Sequence, residues 1–307
     1  MSGAEHDAYG RAARRVLAFA VISSLVVVVI ASLLISAVFF SANPVTASSA
    51  ETPKGRPIVI AIARTPGGPS EWITYARAIK RMSEATGRPM QVRYVQERGS
   101  IMRLMESHQV DAGFLCTACY LDLANQQGVT LVAAPRIAGE TKDAAVLVVR
   151  ASSGYRSLKH LVGRRVGVTE PTSLAGSTYL YWLAKREGID VARSFTLVQG
   201  ETQERNLRAL LAGDIDAVVV NRSQLALWGQ TEVQVISQSP EYGMPPFVTG
   251  STIDTATRTA MKRALLTMPT SAEQPPSPIE GFSDVTAEDY EFARELLQLS
   301  RSSQGPR

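Results

Sequence analysis

From Pro57 onward the chain switches repeatedly between two hydrophobic periods. Ile58–Ala63 (IVIAIA) is a continuous apolar run, the pattern of a short strand buried on both faces. Trp72, Ala76, Ile79 and Met82 then recur at helical spacing. Gln91–Gln96 alternates like a strand, and Ile101–Ser107 reads as a short helix. Ala112–Leu115 and Thr130–Ala133 read as strands around a helix starting near Ala118, and Ala144–Arg150 (AAVLVVR) as another strand. A second series follows. Arg165–Thr169, Phe195–Val198, Ala217–Val220 and Val233–Ile236 are strand-like; Leu174–Glu187 and Glu204–Leu211 are helix-like, each stopped by a glycine. Thr286 caps a last helix with Asp289 three residues on, turning Tyr290, Ala293 and Leu297 inward. Strands alternating with helices predict an α/β fold with mostly parallel sheets, and two such series predict two lobes. Ligands of open α/β sheets sit at the carboxyl ends of strands. The loops after Ala63, Leu115, Thr169, Val198 and Val220 are therefore the expected site.

One segment breaks the pattern. Val16–Phe40 is 25 residues without a charge. As a helix it spans roughly 37 Å, enough for one bilayer crossing with some tilt. Arg11, Arg14 and Arg15 precede it, and the next basic residue is Lys54. That asymmetry predicts a cytoplasmic tail at 1–15, a transmembrane anchor at 16–40 and the rest outside the membrane. The competing reading is a signal peptide cut near Ser48-Ser49-Ala50, but such apolar cores run to only about 7–15 residues. Residues 41–56 are small, polar and proline-containing, as a tether would be.

Composition narrows the function. The 307 residues are 45% hydrophobic and 20% charged, which fits a folded globular chain. The net charge of +4 is spread along the sequence, and no basic block is interleaved with aromatics, so no nucleic-acid partner is expected. The cysteines, Cys116 and Cys119, form one CTAC motif, which excludes a four-cysteine zinc site and a disulfide-rich scaffold. Histidines are His6, His108 and His160, and neither a serine elbow nor an HExxH motif accompanies them. Asp214 and Asp216 read as turn and packing residues, not as a metal pair. No catalytic residue, metal or cofactor is expected.

Leu158–Ser223 carries further information. Ser157, Leu158, Leu161, Gly163, Arg164 and Val166 lead into a strand, a Pro-Thr-Ser turn and a glycine that open a helix. Leu211, Gly213, Ile215, Asp216 and Ala217 follow. In the first half, Val110, Asp111, Phe114, Leu115 and Tyr120 form a second motif, with Cys116 and Thr117 where Gly-Pro is usual, and EYGMPPFVTG near residue 245 forms a third. These motifs, in this order, resemble the phosphate/phosphite/phosphonate-binding proteins of ABC importers, a branch of the type 2 periplasmic binding proteins. The resemblance covers roughly residues 57–270 and implies a two-lobed architecture, a small oxyanion ligand, and permease and ATPase partners. The expected division is lobe 1 at 57–150 and 247–300, lobe 2 at 151–246, a first crossing near Arg150–Tyr155, a return near Pro240–Pro246, and a disordered tail at 301–307.

The candidate ligand residues are Thr65, Tyr120, Thr172, Ser173, Gly176, Gln203 and Asn221. Pro171–Gly176 follows a strand and opens a helix, where free N–H groups and the helix dipole favour an anion. Ser173 serves equally as an ordinary N-cap. Gln203 stands where the family often has histidine and reads either as an anion donor or as a solvated first helical turn. Tyr120 reads as a cleft residue or as core, and Asn221 and Ser223 end a strand that can face the cleft. Leu174 and Ala175 replace hydroxyl residues usual in the family's phosphonate sites. Cys116 and Cys119 are open to a disulfide, to a reduced packed pair or to redox chemistry. A membrane-tethered sensor of the same fold is the alternative to a transport role.

Overall fold

The computed structural model describes residues 55–63, 68–95, 98–126, 128–228, 232–269 and 278–303. Val16–Phe40, the tether up to residue 54, and Thr65 lie outside these residues. Among the described residues no helix is long and apolar enough to cross a membrane.

The chain begins β1 (Ile58–Ala63), α1 (Gly68–Thr86), β2 (Met90–Val95), α2 (Arg98–Glu106), β3 (Ala112–Phe114), α3 (Thr117–Gln126) and β4 (Thr130–Ile137). It crosses through the short β5 (Lys142–Asp143) into β6 (Ala145–Arg150) and β7 (Arg165–Val168). There follow α4 (Tyr179–Arg186), α5 (Val191–Ser194), β8 (Thr196–Gln199), α6 (Gln203–Ala212), β9 (Ala217–Asn221), α7 (Arg222–Leu227) and β10 (Val233–Gln238). It returns through β11 (Tyr242–Gly243) to β12 (Phe247–Thr249), α8 (Thr255–Leu266), β13 (Ile279–Ser283) and α9 (Glu291–Ser303).

Two sheets result. One has the order β13-β4-β12-β3-β1-β2 and the other β10-β6-β9-β7-β8. The sheets are mixed, which corrects the expectation of mostly parallel ones. β1 runs parallel to β2 and β3, and β7 to β8 and β9. β12 and β13 pair antiparallel with their neighbours, as do β6 and β10. β6 and β12, the strands that follow the two crossings, each run against both of their neighbours. The first crossing is also displaced. Val146–Val149 lies fully buried in the second sheet, paired with β9 and β10, so the chain changes lobes across 138–144 and not at Arg150–Tyr155. The return spans 239–246. The two crossings pair with each other, Tyr242 opposite Asp143 and Gly243 opposite Lys142, forming a two-stranded hinge ribbon.

The core is aliphatic. Ile58, Ile60, Ala61 and Ile62 of β1 and Val218, Val219 and Val220 of β9 are inaccessible, as strands covered on both faces require. The C-terminal helix lies across the ribbon. Thr286 and Asp289 form a capping box, and Tyr290 behind it is fully buried, with its hydroxyl donating to Met244 O at 2.8 Å. The Tyr290 ring occupies the space that a Cβ at residue 243 would take, so this hinge position admits only glycine. α9 runs to Ser303, past the boundary expected at residue 300.

Candidate functional site

The second lobe gathers polar groups at the carboxyl ends of β7 and β9. β7 ends at Val168, and Thr169 follows it, its N–H donating to Gly176 O at 2.8 Å. Leu174–Thr178 form a π-helical turn that continues directly into α4. Ser173 is its N-cap, with Oγ accepting from the Gly176 N–H at 3.1 Å. The Ser177 and Thr178 N–H groups both reach Ser173 O. No acceptor for the Leu174 and Ala175 N–H groups is found among the described residues, as is usual in the first turn of a helix. Thr172 is half-buried, one residue before the cap.

These groups converge on one point. The position a Cβ on residue 176 would occupy lies within 3.3 Å of Thr169 Oγ1, Ser173 Oγ and Gln203 Nε2. Only glycine lets Thr169 approach so closely. Thr169 is 3% exposed, and its Oγ1 is buried without a hydrogen-bond partner. A buried, unused hydroxyl is uncommon in a folded protein.

Gln203 and Asn221 are held together. Gln203 Oε1 accepts from the Asn221 N–H at 2.8 Å, and Gln203 Nε2 donates to Asn221 Oδ1 at 2.9 Å. This pair locks the first turn of α6 to the end of β9. Asn221 Nδ2 donates onward to Asp143 Oδ2 at 2.8 Å and to the Tyr242 hydroxyl at 3.1 Å, both on the hinge ribbon. Asp143 is almost fully buried and also accepts from the Ser223 hydroxyl and from the Ser223 and Ala144 N–H groups. Burial, reinforced by the negative charge of Asp143, pushes the Tyr242 phenol well above its ordinary value. The lobe-2 cluster thus unites Ser173, Gly176, Gln203 and Asn221, and the hinge bonds to it directly.

Two further candidates fall elsewhere. Thr65 lies outside the described residues. Tyr120 is buried edge-on against Tyr290, with ring centroids 4.8 Å apart, and is not in the lobe-2 cluster. Burial raises its phenol, and Arg294 opposes that shift by charge and hydrogen bond. Cys116 and Cys119 are joined in a disulfide across the first turn of α3, with Cα atoms 5.0 Å apart. Thr117 between them donates to Gly243 O at 3.4 Å, so this turn abuts the hinge. Among the described residues no group of acidic, histidine or cysteine side chains is arranged to hold a metal ion. Asp216 accepts from the Arg165 N–H and guanidinium, bracing the start of β7 against the turn before β9.

Sequence reasoning placed the loop after Thr169 at the site but passed over Thr169 itself, whose signal was its place at the carboxyl end of a strand. It also passed over Asp143, which the misplaced crossing had put inside lobe 1.

A family model described as an ABC transporter phosphonate periplasmic substrate-binding protein matches residues 70–290. Among solved structures, the binding protein component of an ABC phosphonate transporter from Pseudomonas aeruginosa is similar at 17% identity, with a TM-score of 0.63 over 81% of this chain and 88% of that one. A Prochlorococcus marinus protein in complex with methylphosphonate is similar at 13% identity and TM-score 0.63, covering 82% of this chain and 100% of that one. The periplasmic aliphatic sulphonate binding protein of Escherichia coli is similar at 12% identity and TM-score 0.55, covering 81% and 93%. At such identities the likeness is one of fold. No curated protein matches the chain.

Proposed function

This chain belongs to the phosphonate family of ABC-transporter periplasmic substrate-binding proteins, and we propose that it is a membrane-anchored, extracytoplasmic receptor that takes a small oxyanion between its two lobes for an importer. The family is one of transport proteins and not of enzymes. Thr169 carries the ligand reading. Its buried, unpartnered hydroxyl stands beside the first turn of a helix, with Ser173 and Gln203 on the same point. Hydroxyl and amide hydrogens with helix-start N–H groups suit an oxyanion. The direct bonds from Asn221 to Asp143 and Tyr242 give ligand contact a route to the hinge, and lobe closure is what a permease would read. The anchor reading rests on Val16–Phe40 and the arginines before it.

Thermal unfolding of the full-length protein in detergent tests the ligand reading. Methylphosphonate, inorganic phosphate and methanesulfonate are the probes, with a neutral amide as control. A true ligand at a hundredfold excess over its Kd stabilises by about 2.7 kcal/mol. For a domain of this size that is roughly 5–10 °C in Tm. No shift with any oxyanion refutes it. The anchor reading expects the protein in the membrane fraction after a carbonate wash, with residues beyond 57 open to protease on spheroplasts. A soluble form beginning near Glu51 refutes that.

A further inference from the structure

Among the described residues, Trp72 and Tyr94 are the two aromatic side chains that stand exposed, at 39% and 56%. They touch each other, with ring centroids 5.6 Å apart and planes inclined by 54°. Val92, also exposed, lies two positions before Tyr94 and on the same face of β2. A lone exposed apolar residue is ordinary, whereas a contiguous group marks a binding surface.

Register gives the group its place. Trp72 continues the stripe of α1 that buries Tyr75, Ile79 and Met82. Tyr75 packs on Phe114, with centroids 4.5 Å apart, and Phe114 is the last residue of β3. Trp72 stands one turn nearer the start of α1, about 4.5 Å further along its axis, and so overhangs the end of the sheet. Tyr94 lies level with Phe114, since both pair with Ile62, and it faces α1 as Phe114 does. The pair therefore rims the carboxyl ends of the lobe-1 strands. That end is the cleft side. The return crossing delivers the chain to Phe247, opposite Phe114, and β4 leads straight into the first crossing. In lobe 2 the end of β9 bonds to the ribbon through Asn221. The carboxyl ends of both lobes thus meet at the ribbon, and the Gly176 cluster and the aromatic pair belong to the same cleft. β2 is an edge strand three places from β12, which sets the pair at the outer rim and leaves the centre to the anion.

We propose that this rim seats an apolar substituent of the ligand, so that the protein takes organic oxyanions bearing an alkyl chain of several carbons in preference to inorganic or one-carbon ones. The proposal rests on the anion-binding reading of the lobe-2 cluster. Exposed aromatic faces gain by being covered, and an alkyl chain covers them without requiring a hydrogen bond. The charged end of such a ligand suits the hydroxyl and amide hydrogens around Gly176, and its tail suits the rings.

Calorimetric titration of the full-length protein in detergent with straight-chain alkylsulfonates and alkylphosphonates of one to five carbons tests this, with the heat of each probe into detergent alone subtracted. Affinity is expected to rise roughly two- to fourfold for each methylene that reaches the rim, and at least tenfold from one carbon to five. The five-carbon probe should displace the one-carbon probe of the same head group. Trp72→Ala should lower affinity for the five-carbon probe about tenfold more than for the one-carbon probe. Tyr94→Ala carries the same expectation if Trp72→Ala does not fold. A head group that binds with a flat or falling series overturns the proposal and leaves anion binding intact. A five-carbon probe that binds without displacing the one-carbon probe, or a folded Trp72→Ala that lowers both affinities equally, also overturns it. Binding by neither series overturns the anion reading, and the proposal with it.

Discussion

Thr169→Val separates stability from binding, because the two are expected to move in opposite directions. Thr169 is 3% exposed, and its Oγ1 has no partner. Leaving a buried hydroxyl unpaired costs about 1–3 kcal/mol relative to an apolar group of the same shape. Valine removes that cost. The gain is partly offset, because a methyl is larger than a hydroxyl and the approach to Gly176 is already close. The unliganded variant should therefore be more stable by about 1 kcal/mol, or roughly 2–4 °C in Tm. A bound oxyanion, by contrast, loses one hydrogen bond to a charged group, about 1.5–3 kcal/mol. Affinity should fall about 10- to 100-fold. Thr169→Ser, which keeps the hydroxyl, should retain binding within a few-fold. Differential scanning calorimetry gives the stability arm, and titration with whichever of methanesulfonate or methylphosphonate binds the wild type gives the affinity arm. A loss of more than about 1 kcal/mol in the unliganded valine variant would mean that the hydroxyl already has a structural partner. Unchanged affinity would place the ligand elsewhere. Either result refutes the reasoning.

Gly176→Ala drives a methyl into Thr169 Oγ1 and Ser173 Oγ; a loss of about 1–3 kcal/mol in chemical denaturation and loss of oxyanion binding are expected. Asp111 is fully buried, and burial alone would raise its carboxyl, but hydrogen bonds from Thr252, Val59 N–H and Arg56 outweigh burial and hold it below the ordinary range. Its contribution is therefore present above the unfolded-state value and lost as pH falls through the folded one. Asp111→Asn should cost roughly 1–3 kcal/mol at pH 7, with the gap to wild type closing below about pH 4; a gap independent of pH contradicts this. The Cys116–Cys119 bond closes a loop of very few residues. Changing both to serine should lower stability by only about 1–2 kcal/mol and leave oxyanion affinity intact, because the entropic gain grows with loop length; a lost ligand response would tie that turn to binding.

The two-lobed plan was legible because each lobe repeats strand and helix at short intervals and because strands covered on both faces carry unbroken apolar runs. Strand direction was not legible. AAVLVVR at 144–150 reads the same in a parallel or an antiparallel neighbourhood, since burial on both faces erases the alternation that would mark it. Its partners, β9 and β10, lie about 70 or more residues along the chain, and only their pairing reveals that the run belongs to the second lobe. The edge strand β2 shows the reverse case. Gln91, Val92, Arg93 and Tyr94 are all exposed, so their alternation reported strand without reporting burial.

The candidate site was legible as a place and not as a chemistry. A strand end, a Pro-Thr-Ser turn and a glycine are local features, so Ser173 and Gly176 were within reach of the sequence. What a polar side chain offers a ligand depends on which of its atoms are already used, and that is settled by residues far along the chain. Gln203 looked like a free amide. Its carbonyl is taken by a backbone N–H 18 positions away, and its polarity is fixed behind that by Asn221, whose own amide is turned by a hinge aspartate 78 positions before it. Thr169 looked like the end of a strand. Its hydroxyl stands out only in the folded chain, where it is buried and without a partner. Donor and acceptor bookkeeping of this kind is a tertiary property. A single change in the relay, such as Gln203→Glu, which sets a carboxylate oxygen against Asn221 Oδ1, should therefore weaken binding of an oxyanion while leaving the strand pattern of the fold untouched.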